Sequence, residues 1–250
     1  MALVVLVCGC SSVPATGAAA RPTQAEPVRP ARPHVPVVFV LGDSYTAGIR
    51  AVPAERTYAA ETARRLGWQI VIGGYAGTGF VNDGRIGRNF AELYTAQLAW
   101  RPAPDMVVVS GGHNDHRAPE LVAPAADRLL RDIRARWPRA HLVLMGPLWG
   151  GDPTESARRV RDSLRRVAAA LGVPFVDPLT WITGNVRAGT GNAVTYVLDD
   201  GVHLTPAGNR YVADRLVGEL RALGLDRPML GAPARRPARS PDPAAAHQGP

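Results

Sequence analysis

Between residues 36 and 225 the chain alternates short, wholly apolar runs with longer amphipathic stretches. The runs "VPVVFVL", "WQIVIG", "DMVVVSGG", "AHLVLMG" and "PFVD" predict five strands. They are rich in β-branched residues and lack polar alternation, as in a sheet covered on both faces. The stretch "TYAAETARRLG" predicts a helix ending on Gly67, and "RNFAELYTAQLAW" a second. A third is "PELVAPAADRLLRDIRARW", with Leu121, Leu129, Leu130 and Ile133 expected on one side. "PTESARRVRDSLRRVAAALG" should stop at Gly172. "TPAGNRYVADRLVGELRALG" starts the last helix, with Thr205 as N-cap and Pro206 in the first helical position. Strand and helix in alternation imply an α/β fold with a parallel sheet and helices on both faces. In such folds ligands bind at the carboxyl ends of the strands.

The flanks read differently. Residues 11–35 are mostly Ala, Pro and Arg, with little that could pack, and are expected to form an extended linker; residues 226–250 are expected to be a disordered tail of similar composition. Residues 1–10, "MALVVLVCGC", resemble a clipped bacterial lipoprotein leader. A short apolar run ends in Gly9, and Cys10 would carry the lipid. The leader lacks a basic segment and its apolar run is short. The folded domain is then 36–225, an ordinary size for one core in a chain of 250 residues. Cys8 and Cys10 are the only cysteines, so the domain has neither a disulfide nor a thiolate metal site. No apolar run approaches the roughly eighteen residues of a spanning helix. The net charge of +8 comes with no Lys, and the Arg residues are mixed with Asp, Glu and apolar residues along helical stretches. That pattern reads as solvated helix faces rather than a nucleic-acid surface.

Four segments fall at the expected strand ends or before the last helix: "GDSYTAG", "GGYAGTGF", "GGHND" and "LDDGVHLTPAG". Together they hold the parts for serine acyl transfer. Ser44 needs a base to become a nucleophile, and His203 can take its proton and return it. Asp200, three residues earlier, can hold the imidazole tautomer and stabilise its charged form, with Asp199 the rival. The developing oxyanion needs donors, for which the N–H groups of Ser44 and Gly77 and the side-chain amide of Asn114 are the candidates. "GGYAGTGF" could instead cradle a phosphate. However, it has neither the dinucleotide Gly-x-Gly-x-x-Gly order nor a P-loop Lys, and "GDSYT" is not the Gly-x-Ser-x-Gly elbow. His113, Asp115 and His116 could suggest a metal, but no further ligands cluster with them, so neither metal nor other cofactor is expected. Asp43 reads as a loop-bonding residue, and Trp149 as either a pocket wall or core.

"GDSYTAG", "AGTGF", "GGHND" and "DDGVHLT" resemble, in order, the four blocks of the SGNH (GDSL) hydrolase family, over about residues 37–222. The resemblance implies a flavodoxin-like three-layer α/β/α fold with a central parallel sheet of about five strands. It implies an esterase, lipase or carbohydrate deacylase that needs no metal. It maps the nucleophile onto Ser44, the oxyanion Gly onto Gly77, the Asn onto Asn114, and the Asp and His onto Asp200 and His203. Many members carry an Asn shortly before the second-block Gly. Here that stretch is "VIGGY", which leaves Gly79 as an alternative to Gly77. The fourth residue of the first block is Tyr45 rather than Leu. The expected activity is hydrolysis of an O-acyl ester on a carbohydrate or cell-envelope polymer. Alternatives are a short-chain lipase, thioesterase or acyltransferase of the same family, or an inactive surface-binding module. The substrate is then a small-molecule or polysaccharide acyl ester, the protein a monomer, and its place the cell envelope, as a lipoprotein, or outside the cell. Mass spectrometry of the mature amino terminus is expected to find cleavage before Cys10 and an added lipid mass; cytosolic protein with an intact Met1 contradicts export.

Overall fold

The computed structural model describes residues 34–234. The leader, Cys10, the linker as far as residue 33 and the tail from residue 235 lie outside the described residues. Five strands form one sheet: β1 (Val37–Gly42), β2 (Gln69–Gly74), β3 (Met106–Ser110), β4 (His141–Met145) and the two-residue β5 (Phe175–Val176). Their order is β2-β1-β3-β4-β5, and every pairing is parallel. This is the flavodoxin-like order, in which the chain reverses direction across the sheet after β1. Among the described residues, seven α-helices accompany the strands: α1 (Ser44–Ala47), α2 (Tyr58–Leu66), α3 (Phe90–Gln97), α4 (Pro119–Arg136), α5 (Glu155–Leu171), α6 (Ala193–Tyr196) and α7 (Pro206–Ala222). The two four-residue helices were not expected from the sequence.

The apolar runs divide by alternate residues, as side chains on a strand must. Val38, Val40, Met106, Val108, Val143 and Met145 pack with Tyr58 and Ala59 of α2 and Val212 and Leu216 of α7. Phe39, Leu41, Val107, Val109, Leu142 and Leu144 pack on the opposite face with Leu93 of α3, Leu129 of α4 and Leu164 of α5. Two cores on the two faces of one sheet make the three layers. Full burial of each Val or Leu is worth about 1.5–3 kcal/mol, so the strand runs carry much of the stability.

Helix ends follow the expected chemistry. Thr205 accepts a hydrogen bond from Gly208 N at 3.0 Å and Thr154 one from Ala157 N at 3.1 Å, each satisfying an orphan donor of a first turn. Asn89 and Glu92 form a capping box on α3. One face of α4 departs from expectation. Val122, Ala126, Leu129, Leu130 and Ile133 are buried, whereas Leu121 is 50% exposed. Spacings of three and four from Leu129 and Ile133 lead back to Ala126 and Val122, and Leu121 falls about a quarter turn off that stripe. The chain beyond Leu225 also stays tied to the domain. Asp226 O accepts from Trp68 Nε1 at 2.8 Å, Leu230 N donates to Asp105 Oδ1 at 2.8 Å, and Gly231 N donates to Arg139 O at 2.9 Å.

β1 and β2 end side by side, with Gly42 paired to Gly74. Gly74 has φ +119°, and a Cβ there would overlap the Gly42 carbonyl. Gly218, on the exposed side of α7, has open space where a Cβ would stand. Urea denaturation should therefore show Gly74→Ala destabilised by about 3 kcal/mol or more. Gly218→Ala should be stabilised by about 0.5–1 kcal/mol.

Candidate active site

β1 delivers Ser44 to the carboxyl end of the sheet. Asp43 caps α1, its Oδ1 accepting from Tyr45 N at 3.0 Å, and Ser44 is the first helical residue. Its N–H therefore has no acceptor within the helix. Asp43 is 2% exposed, and burial pushes its carboxyl up to about 7 against the pull of the Tyr45 N–H. Beneath α1, Thr46 Oγ1 meets Tyr58 OH at 2.8 Å, and Tyr58 OH donates to Ser110 Oγ at 2.8 Å. This buried chain ties the Ser44 turn to the ends of α2 and β3.

The segment before α7 supplies the partners. His203 Nε2 lies 3.0 Å from Ser44 Oγ, and His203 Nδ1 lies 2.7 Å from Asp200 Oδ2. The other Asp200 oxygen accepts from Val202 N at 2.8 Å and His203 N at 2.9 Å. Desolvation pushes the Asp200 carboxyl up, but the hydrogen bonds from the His203 ring and from these two N–H groups outweigh it and hold the carboxyl below its ordinary value. Among the described residues it is Asp200, and not the rival Asp199, that bonds to His203. Tyr45 OH donates to Val202 O at 2.7 Å, which pins the loop from the Ser44 side. Asn209 Oδ1 accepts from Tyr58 N at 2.8 Å while its amide donates to Leu204 O and Thr205 O. It thereby fixes the start of α7 to the start of α2.

The loop after β2 sorts its four glycines. Gly73 lies in the strand opposite Leu41, and Gly74 N donates to Gln97 Oε1 at 2.7 Å. Gly79 N donates to Asn82 O at 2.8 Å, and a Cβ on Gly79 would overlap the Asp115 carboxylate. Gly77 has φ +82°, and among the described residues its N–H has no acceptor. Asn114, from the loop after β3, reaches the same turn, its Nδ2 donating to Thr78 O at 2.9 Å. Asp115 meets the next residues of that loop: Oδ2 accepts from Phe80 N at 3.0 Å, and Oδ1 from Val81 N and Asn82 N at 2.9 and 3.0 Å. Asp115 thus clamps the loop that carries Gly77. Ser44, His203 and Asp200 are brought into one hydrogen-bonded line, and Gly77 and Asn114 share a neighbouring turn.

The sequence profile of the GDSL-like lipase/acylhydrolase family matches residues 40–211. The chain belongs to this family. This GDSL-like protein is an ester-bond hydrolase. It is 32% identical over 194 residues to a GDSL lipase of Mycobacterium tuberculosis, covering 72% of this chain and 79% of that one. Among solved structures it resembles a family two carbohydrate esterase from Clostridium thermocellum in complex with cellohexaose, with TM-score 0.59 and 21% identity, covering 76% of this chain and 65% of that chain. It also resembles an acetyl xylan esterase from the rumen bacterium Butyrivibrio proteoclasticus, with TM-score 0.55 and 17% identity, covering 76% and 64%. At these identities the structural likeness is one of fold, and this GDSL-like chain spans about two thirds of those longer chains.

Sequence reasoning missed Tyr45, Tyr58, Asn209 and the clamp role of Asp115 in this GDSL-like hydrolase. Their partners lie far away in the chain, so no local pattern marks them. His113, His116 and Asp115 are not arranged as a metal site: among the described residues no group of three or more His, Cys, Asp or Glu could hold an ion. His113 instead turns Nδ1 to Leu148 O at 3.1 Å and packs edge-on against Tyr45, whose ring lies 5.4 Å away. Burial pushes His113 down to about 4, with His116 and His203 adding to the effect and the Leu148 bond opposing it. The neutral form is therefore favoured by the fold. Its contribution to stability is full above the ordinary value of 6.5 and is lost as pH falls toward about 4. NMR titration should find the His113 ring resonances flat from pH 8 to about 5, with the midpoint near 4. A midpoint at the ordinary His value contradicts the buried neutral ring.

Proposed function

We propose that this protein hydrolyses an O-acyl ester by way of an acyl-enzyme on Ser44. The observation that carries the reading is the line from Asp200 through His203 to Ser44. Asp200 accepts at His203 Nδ1, so the neutral imidazole carries its proton there and presents an unprotonated Nε2 to Ser44 Oγ. As Oγ attacks the ester carbonyl, Nε2 takes the Ser44 proton and Asp200 stabilises the imidazolium. The carbonyl oxygen becomes an oxyanion, received by the N–H groups of Ser44 and Gly77 and the Asn114 amide. When the intermediate collapses, His203 gives its proton to the departing alcohol oxygen. Water, activated by the same imidazole, then releases the acid and regenerates Ser44.

The fold shared with carbohydrate esterases supports an acyl group carried on a carbohydrate, here one of the cell envelope or the environment, met by an exported enzyme. A short-chain lipid ester is the second reading. It is favoured by an open cleft of about 500 Å³ beside α1, lined by Ala47, Ile49, Pro53, Ala54, Tyr75 and Ala76 with Arg50 among them, and by the lipase relative. With p-nitrophenyl acetate, Ser44→Ala and Asp200→Asn should each lower kcat by about three to four orders of magnitude or more. Asn114→Ala should lower it about a hundred- to a thousandfold with KM little changed. A Ser44→Ala protein as active as wild type sinks the nucleophile assignment, and an inactive wild type across acyl esters favours a binding module.

A further inference from the structure

A second cavity opens on the β4–β5 side of Ser44, away from the apolar cleft, which borders β2. Its volume is about 270 Å³, and its walls come from Trp149–Asp152 after β4, Gly184–Arg187, and Asp200–Gly201. It meets the candidate site at Asp200. Its size falls just under the roughly 300–1,000 Å³ of pockets for drug-sized ligands, so it suits one ring-sized group rather than a long chain.

The walls are knitted by backbone. Asp152 N donates to Gly184 O at 3.0 Å, and Asp152 Oδ1 accepts from Gly184 N at 2.9 Å. A Cβ on Gly150 would stand 2.7 Å from Gly201 O and 2.8 Å from Val202 O, so these loops meet with no side chain between them. Asn185 Oδ1 accepts from Arg187 N and Ala188 N at 2.9 and 3.1 Å, and among the described residues its Nδ2 has no acceptor. Arg187 Nη2 donates to the backbone Asp200 O at 3.3 Å, and among the described residues that is its side chain's hydrogen-bond partner. The cavity therefore offers free donors from Asn185 and Arg187, with carboxylate and carbonyl acceptors close by. Its one cation is balanced by Asp152 and Asp200, which disfavours a strongly anionic occupant. Trp149 adds an aromatic surface, itself braced by His113 at 4.5 Å and His116 at 5.6 Å between ring centroids.

We infer that this cavity binds a neutral sugar ring of the alcohol half of the ester. A ring of hydroxyl groups presents donors and acceptors together on an edge and an apolar face for an indole. The mixed wall matches both. The placement fits the reaction: the departing alcohol oxygen takes its proton from His203, and the cavity lies against the loop that carries His203. The apolar cleft on the other side is left for the acyl half. The inference rests on the esterase reading for which half of the ester the cavity holds, but the binding itself does not depend on turnover.

Two arms test it, both with the full-length protein. In the first, kcat/KM is measured for wild type, Trp149→Ala and Arg187→Ala on an O-acetylated methyl glycoside and on p-nitrophenyl acetate. The ratio of sugar ester to aryl ester should fall by about tenfold in each variant, the scale of one lost ligand hydrogen bond or contact. In the second, Ser44→Ala protein is titrated calorimetrically with neutral acetylated xylo-, gluco- and N-acetylglucosamine oligosaccharides. At least one should bind, about tenfold more weakly when Trp149→Ala or Arg187→Ala is added. An unchanged ratio, or binding indifferent to both substitutions, overturns the cavity assignment and leaves the esterase reading standing. A wild type inactive on all esters removes that reading, and the second arm still decides whether the cavity takes a sugar. Because Arg187 is exposed, its substitution tests the cavity even where Trp149→Ala disturbs the loop.

Discussion

Everything at the candidate site depends on the parallel pairing of β1 between β2 and β3. The register sets Gly42 opposite both Gly74 and Ser110. The three strands therefore end at one level, and their loops leave from neighbouring points. Ser44 comes two residues after Gly42, Gly77 three after Gly74, and Asn114 four after Ser110. A slip of one residue in either pairing would move a donor by one strand rise, about 3.3 Å, and turn side chains to the opposite face. Gly74 is the point of greatest crowding in this arrangement, because the backbone there leaves no room for a Cβ beside the Gly42 carbonyl.

The fourth contributor arrives from far along the chain, and buried polar contacts secure it. Tyr45 OH holds Val202 O, and Asn209 links the beginnings of α2 and α7. The chain Thr46–Tyr58–Ser110 lies below, tying α1 to α2 and β3. The side chains of Tyr45, Thr46, Tyr58, Ser110 and Asn209 are buried and paired, so each resists displacement by the cost of leaving a polar group unsatisfied. This lets an Asp-x-x-His segment on a loop, with Asp200 partly exposed, hold its geometry against Ser44. The same loop forms part of the wall of the polar cavity, so the sugar binding and the proton transfer proposed above would share one support.

The strands and long helices were legible because both faces of the sheet are covered and the runs have no polar break. The cap at Thr205 was equally plain, since its side chain acts within one turn. Leu121 was misread because an apolar neighbour, Val122, sits beside it and one residue decides which face is buried. The end of the domain was set at Leu225, but Asp226 and Leu230 are held by Trp68 and Asp105, partners no composition argument can supply. Ser44 and Asn114 stood out beside the ends of apolar strands, and Asp200 and His203 as an Asp-x-x-His pair just before the last helix. Four glycines within seven positions could not be ordered in that way. Only the folded loop separates Gly77, whose N–H is without an acceptor among the described residues, from Gly79, whose N–H is spent on Asn82.

The central claim is that Ser44 is a nucleophile activated by His203 and Asp200. Reaction with a fluorophosphonate, followed by intact mass and peptide mapping, tests it without knowledge of the substrate. The account predicts one adduct, located on Ser44, formed rapidly by wild type, slowed by orders of magnitude in His203→Ala, and absent in Ser44→Ala. An adduct on another residue, or labelling indifferent to the loss of His203, would contradict it.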